Sequence, residues 1–164
     1  MRHPILALVA VAACTQASPT DPLPLATEPQ ANASAATPVV YNTQLRPENE
    51  IRTTPDDPVE SGARGHAQIK LFGDNTVEFK ITVQNPGSET FVAGHIHQAP
   101  AGINGPIVVD LLGAIAESGE LLKLEGTVAA APEVADAIRA DPAGFYVNLH
   151  TTIDPQGAVR GQLP

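Results

Sequence analysis

HAQIKLFGDNTVEFKITV, residues 66–83, decides the fold. Ala67, Ile69 and Leu71 alternate with polar residues, and so do Val77, Phe79, Ile81 and Val83. Side chains of an extended chain point alternately to the two faces of a sheet. An apolar period of two therefore means a strand with one buried face. Gly73-Asp74-Asn75 between the runs supplies turn residues, so the stretch reads as a β-hairpin with both apolar faces on one side.

The same reading extends outward. Val39 to Leu45 forms a first strand, and Arg46 to Ser61, with three prolines and several acids, is a long irregular connection. Asn85-Pro86-Gly87 turns the chain into a strand from Phe91 to His97, with Val92, Gly94 and Ile96 on its core side. Pro106 to Leu112 is a short apolar run with β-branched residues, read as a buried strand. Leu121 to Val128 is another, with Leu122, Leu124 and Gly126 on one face.

Pro132 to Ala140 is the one helix. Pro132 fits the first turn, Glu133 favours the N-terminal dipole, and Val134, Ala137 and Ile138 make an apolar stripe. Phe145 to Thr151 and Ala158 to Leu163 form a closing hairpin around Asp154-Pro155-Gln156-Gly157. The expectation is an all-β fold, a Greek-key-like β-sandwich or flattened barrel with one short helix. The 126 residues from 39 to 164 are enough to bury a core without disulfides.

The N-terminus lies outside that domain. Met1-Arg2-His3 is a basic n-region, and Ile5 to Ala13 is apolar but shorter than the roughly 20 residues of a membrane-spanning helix. Val11-Ala12-Ala13-Cys14 resembles the lipobox of bacterial lipoproteins, with Val11 where leucine is commonest. The resemblance implies a signal over 1–14 and lipidation of Cys14, which accounts for a lone cysteine in an exported chain. Thr15 after it, rather than Asp, implies the outer membrane. An ordinary secretory signal cleaved near Ala17 is the alternative. Residues 15–38, rich in Pro, Ala, Ser and Thr, read as a disordered tether, so the chain would meet the membrane through its lipid alone.

Arg2 is the signal's one basic residue, which leaves 8 basic against 18 acidic residues in the remainder. Nucleic-acid binding needs a basic surface, so that class is excluded.

His95 and His97 are two apart on one strand and point the same way, while His150 stands on another predicted strand before a Pro-Gly turn. All three lie on the less apolar side of their strands, and convergent imidazoles are a common way to hold a transition metal. Without thiolates the set suits Cu(II) or Zn(II), and less specifically Ni(II). An oxidising, exported location favours copper over zinc. The rival is a hydrogen-bonded histidine cluster that pins the Ala99–Gly105 loop. His66, on the polar face of its strand, is a fourth candidate ligand that no pattern places beside the others. Arg160 is read as orienting a loop or pairing with an acid, Asn148 as satisfying backbone groups, and Asp110 as a surface acid. Gly102, Gly105 and Gly157 are read as turn glycines.

His95-Ile96-His97, Gly102, Asn104-Gly105-Pro106-Ile107-Val108-Val109 and Leu111, then Tyr146-Val147-Asn148-Leu149-His150-Thr151, Pro155, Gly157 and Arg160-Gly161-Gln162-Leu163, resemble the CHRD (chordin-type) domain. Ser61-Gly62 matches a Ser-Gly pair of that family, and Leu45 to Pro55 is a weaker match to its opening segment. The resemblance covers 39–164. It implies a compact β-domain found in chordin and in bacterial exported proteins, with no established enzymatic activity. In chordin the domains belong to an extracellular growth-factor antagonist, a role that transfers only by analogy.

The functional expectation is a surface-tethered, non-catalytic β-domain that binds a transition metal. A protein-interaction or matrix module with structural histidines, its partner another exported protein, is the alternative. A metal-dependent redox enzyme is a weaker one. A His-x-His strand is similar to that of copper–zinc superoxide dismutase, but that enzyme needs more histidines, an Asp-containing zinc site and usually a disulfide.

Overall fold

The alternation at 66–83 is realised as β2 (Arg64–Leu71) and β3 (Thr76–Gln84), paired antiparallel with Ile69 opposite Phe79 and Ala67 opposite Ile81. The inward residues Ala67, Ile69, Leu71, Val77, Phe79, Ile81 and Val83 are each at most 2% exposed. The structure, a computed structural model, describes residues 37–52, 54 and 58–164. Among these, the other strands are β1 (Val39–Leu45), β4 (Phe91–Gln98), β5 (Ile107–Asp110), β6 (Leu121–Ala129), β7 (Phe145–Thr151) and β8 (Val159–Gln162). The expectations on residues 1–36, including Cys14, lie outside the described residues.

The strands form two antiparallel sheets, ordered β1-β2-β3-β6 and β5-β4-β7-β8. Strand β6 returns to lie beside β3 after two strands in the other sheet, and β7 returns to β4, which is the long-range return of a Greek key. The apolar faces meet in one core, with Ile81, Val83, Leu122 and Leu124 from the first sheet and Ile96, Val147, Leu149 and Val159 from the second. The sheets are joined on one side, where Arg46 N donates to Arg160 O at 3.0 Å and Arg160 N to Arg46 O at 3.1 Å. On the other side β5 and β6 end their sheets without pairing. The fold is therefore a sandwich and not a closed barrel.

Helix α1 (Pro132–Ala140) occupies the expected residues, with Pro at its start, Glu133 in the first turn and Arg139 in the last. Ala135 and Ile138 face the core, and Val134 and Ala137 pack at its margin. Arg139 Nη2 donates to Phe72 O at 2.6 Å, tying the helix to the β2–β3 turn.

Two strand expectations change. The run at 106–112 is not a buried strand but a four-residue edge strand, with Ile107 53% exposed. It has a partner on one side only, and its register with β4 shifts between Ile96 and His97. Strict alternation from Ile96 and Gly94 would turn Phe91 outward. A register irregularity between Phe91 and Ala93 turns it into the core instead, fully buried, and leaves Val92 half-buried.

Candidate metal centre

The face of the second sheet turned away from the core carries polar side chains in rows. Across the ladder His95 pairs with Asn148 and Asn148 with Arg160, while His97 pairs with Tyr146 and Tyr146 with Gln162. This face is not open to water: Tyr146, Asn148 and Arg160 are 1–2% exposed. Two irregular segments cover it. The Ala99–Gly105 loop is held to the segment at 46–52 by Asn104 Nδ2, which donates to Ile51 O at 2.7 Å. A polar row that alternation reads as solvent-facing is thus a second, polar buried layer.

Within it, one ring nitrogen from each of His95, His97 and His150 lies within 4.8 Å of one from each of the others. The ring centroids are 5.0 Å apart for His95–His150, 5.6 Å for His95–His97 and 6.0 Å for His97–His150. His97 is buried, and the other two are partly buried.

Their hydrogen bonds set the tautomers. His97 Nδ1 lies 3.0 Å from Gly105 O and His150 Nδ1 3.1 Å from Pro155 O. A carbonyl only accepts, so both Nδ1 atoms carry hydrogen and both Nε2 atoms of the neutral rings hold lone pairs. His150 Nε2 lies 3.1 Å from His95 Nδ1, which therefore donates to it when no metal is present. His97 Nε2 is buried without a partner among the described residues. A metal–imidazole bond is about 2.0–2.1 Å, which puts two tetrahedral ligands roughly 3.3 Å apart. The His95–His150 pair already has that spacing, and the widest pair needs to close by at most about 1.5 Å.

Donation of the far ring nitrogen to a carbonyl or carboxylate is how metal-ligating histidines are usually oriented. Gly105 and Pro155 supply this for His97 and His150. For His95 the corresponding group is Asp110, whose Oδ1 lies 4.0 Å from His95 Nε2. The β4–β5 register puts Asp110 directly opposite His95.

Behind the histidines stands a stack. Tyr146 lies parallel to His97 at 4.8 Å and 8°, and the Arg160 guanidinium sits 3.4 Å from the Tyr146 ring centre on the cation–π axis. Arg160 also donates to Ile103 O at 2.9 Å, Pro100 O at 3.2 Å and Asn104 Oδ1 at 3.2 Å. Gly105 N donates to the Tyr146 hydroxyl at 3.2 Å. This stack holds the carbonyl of Gly105 against His97. Gly105 is required by close approach rather than by a turn, since a Cβ there would overlap the Gln98 carbonyl.

Burial is the main cause that lowers all three histidines below the ordinary imidazole range. For His95 it is opposed by Asp110, and for His97 by the bond to Gly105. His150 is pushed down to about 4 by burial and then by the neighbouring His95, with its bond to Pro155 opposing. The cluster is therefore neutral near pH 7, the form that ligates. Beside it, Glu50 is pushed up to about 7 by burial, against the pull of Arg160 and Arg52.

His66 is not brought to the others. It is exposed on β2, in the opposite sheet, with Gln44 Nε2 3.3 Å from its Nδ1. Arg160 does orient a loop, as expected. Among the described residues the Asn148 side chain bonds to no backbone group; its Nδ2 donates to Glu50 Oε2 at 3.4 Å and its Oδ1 is unpartnered there. Asp110 is more than a generic surface acid because of its place opposite His95. Tyr146, Pro155 and Glu50 were not legible as site residues. The parity of Tyr146 with Asn148 and His150 on one strand, and the place of Tyr146 and Pro155 among the CHRD-like motif residues, are the signals that could have found two of them.

The class defined by these features is a two-sheet antiparallel sandwich with a three-histidine cluster on the covered outer face of one sheet. The CHRD domain family matches residues 41–163, which include every residue of the cluster, and the chain belongs to that family. No curated protein and no solved structure matches the chain.

Proposed function

We propose that this CHRD domain is non-catalytic and binds one transition-metal ion through His95 Nδ1, His97 Nε2 and His150 Nε2, with copper favoured over zinc. The observation that carries the reading is His97 Nε2, a buried lone pair with no partner inside a group of three convergent imidazoles. An unsatisfied buried acceptor costs about 1–3 kcal/mol, and a metal bond offsets it. The donor set, three imidazoles and no thiolate, suits Cu(II) or Zn(II). The role is storage, delivery or sensing of the ion.

The setting is the bacterial envelope: a signal over 1–14, a lipid on Cys14 at the outer membrane, and a tether to the sandwich. Cys14→Ser then releases the protein from membranes. Soluble wild-type protein whose mature N-terminus lies beyond Cys14 would refute the anchor.

A second reading, an interaction module with structural histidines, has its own support. The His95–His150 bond and the two carbonyl bonds use every ring nitrogen of the cluster except His97 Nε2 and His95 Nε2. Titration calorimetry separates the two. The metal reading expects about one Cu(II) or Zn(II) per chain. His97→Ala and His150→Ala each remove most of the affinity, the double variant loses little more, and His66→Ala leaves it unchanged. Absence of stoichiometric binding to wild type would leave the interaction module.

A further inference from the structure

Strand β6 is the edge of the first sheet, paired with β3 on one side only, and it is nine residues long. Its ladder parity is set at both ends. Asn85 N donates to Glu120 O at 2.8 Å, and Ala130 N donates to Asn75 O at 3.0 Å. Both pairs continue the register in which Ile81 faces Leu124. Hydrogen-bonded pairs alternate along an antiparallel ladder, so Leu122, Leu124, Gly126 and Val128 spend their main-chain groups on β3. Leu121, Lys123, Glu125 and Thr127 direct theirs to the free edge. Beside that edge runs a groove of about 650 Å³, lined on its apolar side by Leu112, Ile115, Leu122, Leu124 and Val128.

A long unblocked edge is a template for another strand. The sequence of β6 selects a second copy of itself. Two such edges related by a two-fold axis pair antiparallel, and outward-directed residues must face one another. Centring the axis on residue 123 sets Lys123 against Lys123, and centring it on residue 125 sets Glu125 against Glu125. Centring it on Leu124 sets each Lys123 against the other copy's Glu125. In that register Leu121 meets Thr127 on the solvent face, and Leu122 meets Gly126 on the core face. Gly126 has no side chain there and lies over the Phe79 ring. Lys80 Nζ lies 4.0 Å from Glu125 Oε2, so Glu125 becomes the middle of a charge row from Lys80 to the other copy's Lys123.

We propose that the protein forms a two-fold dimer through β6, in the register centred on Leu124, joining the two four-stranded sheets into one of eight. About eight main-chain hydrogen bonds form across the axis. The surface is in the sheet opposite the histidine cluster, so the dimer is independent of metal.

Sedimentation equilibrium on the Cys14→Ser chain, which carries neither a lipid nor a free thiol at that position, tests this. The expected result is a dimer for that chain with and without metal. Lys123→Glu alone and Glu125→Lys alone each weaken it by about tenfold or more, because two symmetry-related pairs become repulsive. The double reversal Lys123→Glu/Glu125→Lys restores it. A second measurement does not depend on the folding of those variants. Facing positions 123 and 125 have Cα atoms about 5.5 Å apart, within disulfide range. Lys123→Cys/Glu125→Cys in a Cys14→Ser background should therefore oxidise to a covalent dimer bridged between 123 and 125. A monomeric Cys14→Ser chain, a dimer indifferent to the charge reversals, or no such bridge would overturn the proposal.

Discussion

His97→Phe separates ligation from packing because it changes the ring's chemistry and keeps its shape. A phenyl ring preserves the stack on Tyr146, which has a centroid distance of 4.8 Å. The variant loses the bond from Nδ1 to Gly105 O, worth about 0.5–1.5 kcal/mol. It also removes Nε2, a buried acceptor without a partner, whose burial costs about 1–3 kcal/mol. The two effects oppose, and a slightly larger ring in a nearly closed site costs about another 1 kcal/mol. Metal-free His97→Phe should therefore unfold in urea within about 1 kcal/mol of wild type.

With metal the difference is large. A ligand at a hundred times its dissociation constant stabilises the native state by about 2.7 kcal/mol, roughly 10 °C in Tm for a domain of this size. Wild type gains that shift when copper is added, and His97→Phe does not. Calorimetric melting of both proteins, with and without copper, is the assay. If the metal-free variant loses more than about 2 kcal/mol, or if wild type gains nothing from metal, the reasoning fails and His97 is a structural residue.

Three further outcomes follow from the structure. His150, pushed down to about 4 by burial, contributes stability that is complete above the unfolded value near 6.5 and is lost as pH falls toward 4. Such a shift is worth at most about 3 kcal/mol, less after screening at its partly open edge. Urea midpoints at pH 7 and pH 4.5 should differ accordingly, and His150→Gln should flatten the difference. Glu50 has the opposite sign: raised to about 7, it favours the fold below its ordinary value and opposes it as pH rises through 7. Glu50→Gln should stabilise by at most about 3 kcal/mol at pH 8 and hardly at all at pH 4, and equal effects at both would contradict its burial. Ile81, 1% exposed, should tolerate no charge, so Ile81→Asp should abolish cooperative unfolding while Lys80→Asp on the outer face costs little; equal tolerance would mean the register is wrong.

The strand faces of β2 and β3, the helix at 132–140 and the shared face of His95 and His97 were legible from periodicity. These depend on neighbours two to four residues apart, and local geometry alone places them. His150 was legible as a candidate because it shares its strand parity with Tyr146 and Asn148, but its partner strand was not. Pairing joins residues 55 positions apart, and no local rule selects that register. The flattened-barrel alternative stayed open for the same reason. Whether β5 meets β6 is a question of edges, and only the assembled sheets show that, among the described residues, the sandwich closes at Arg46–Arg160 and not at β5–β6.

What the chain's own pattern determined is which side chains leave each strand together. What the tertiary structure decided is what covers them. The polar face of β4, β7 and β8 reads as solvent-facing, because alternation carries no information about loops that fold back over it. Arg160 and Tyr146 draw the 99–105 loop onto that face, and Glu50 arrives from 98 residues away to meet Asn148. That covering shields three imidazoles from much of the solvent, lowers their proton affinity and leaves one buried lone pair unsatisfied. It sends His66, equally polar and equally well placed by alternation, to the far sheet. The difference between a surface histidine and a candidate ligand here is long-range burial, and burial is a property of the packed chain rather than of any segment in it.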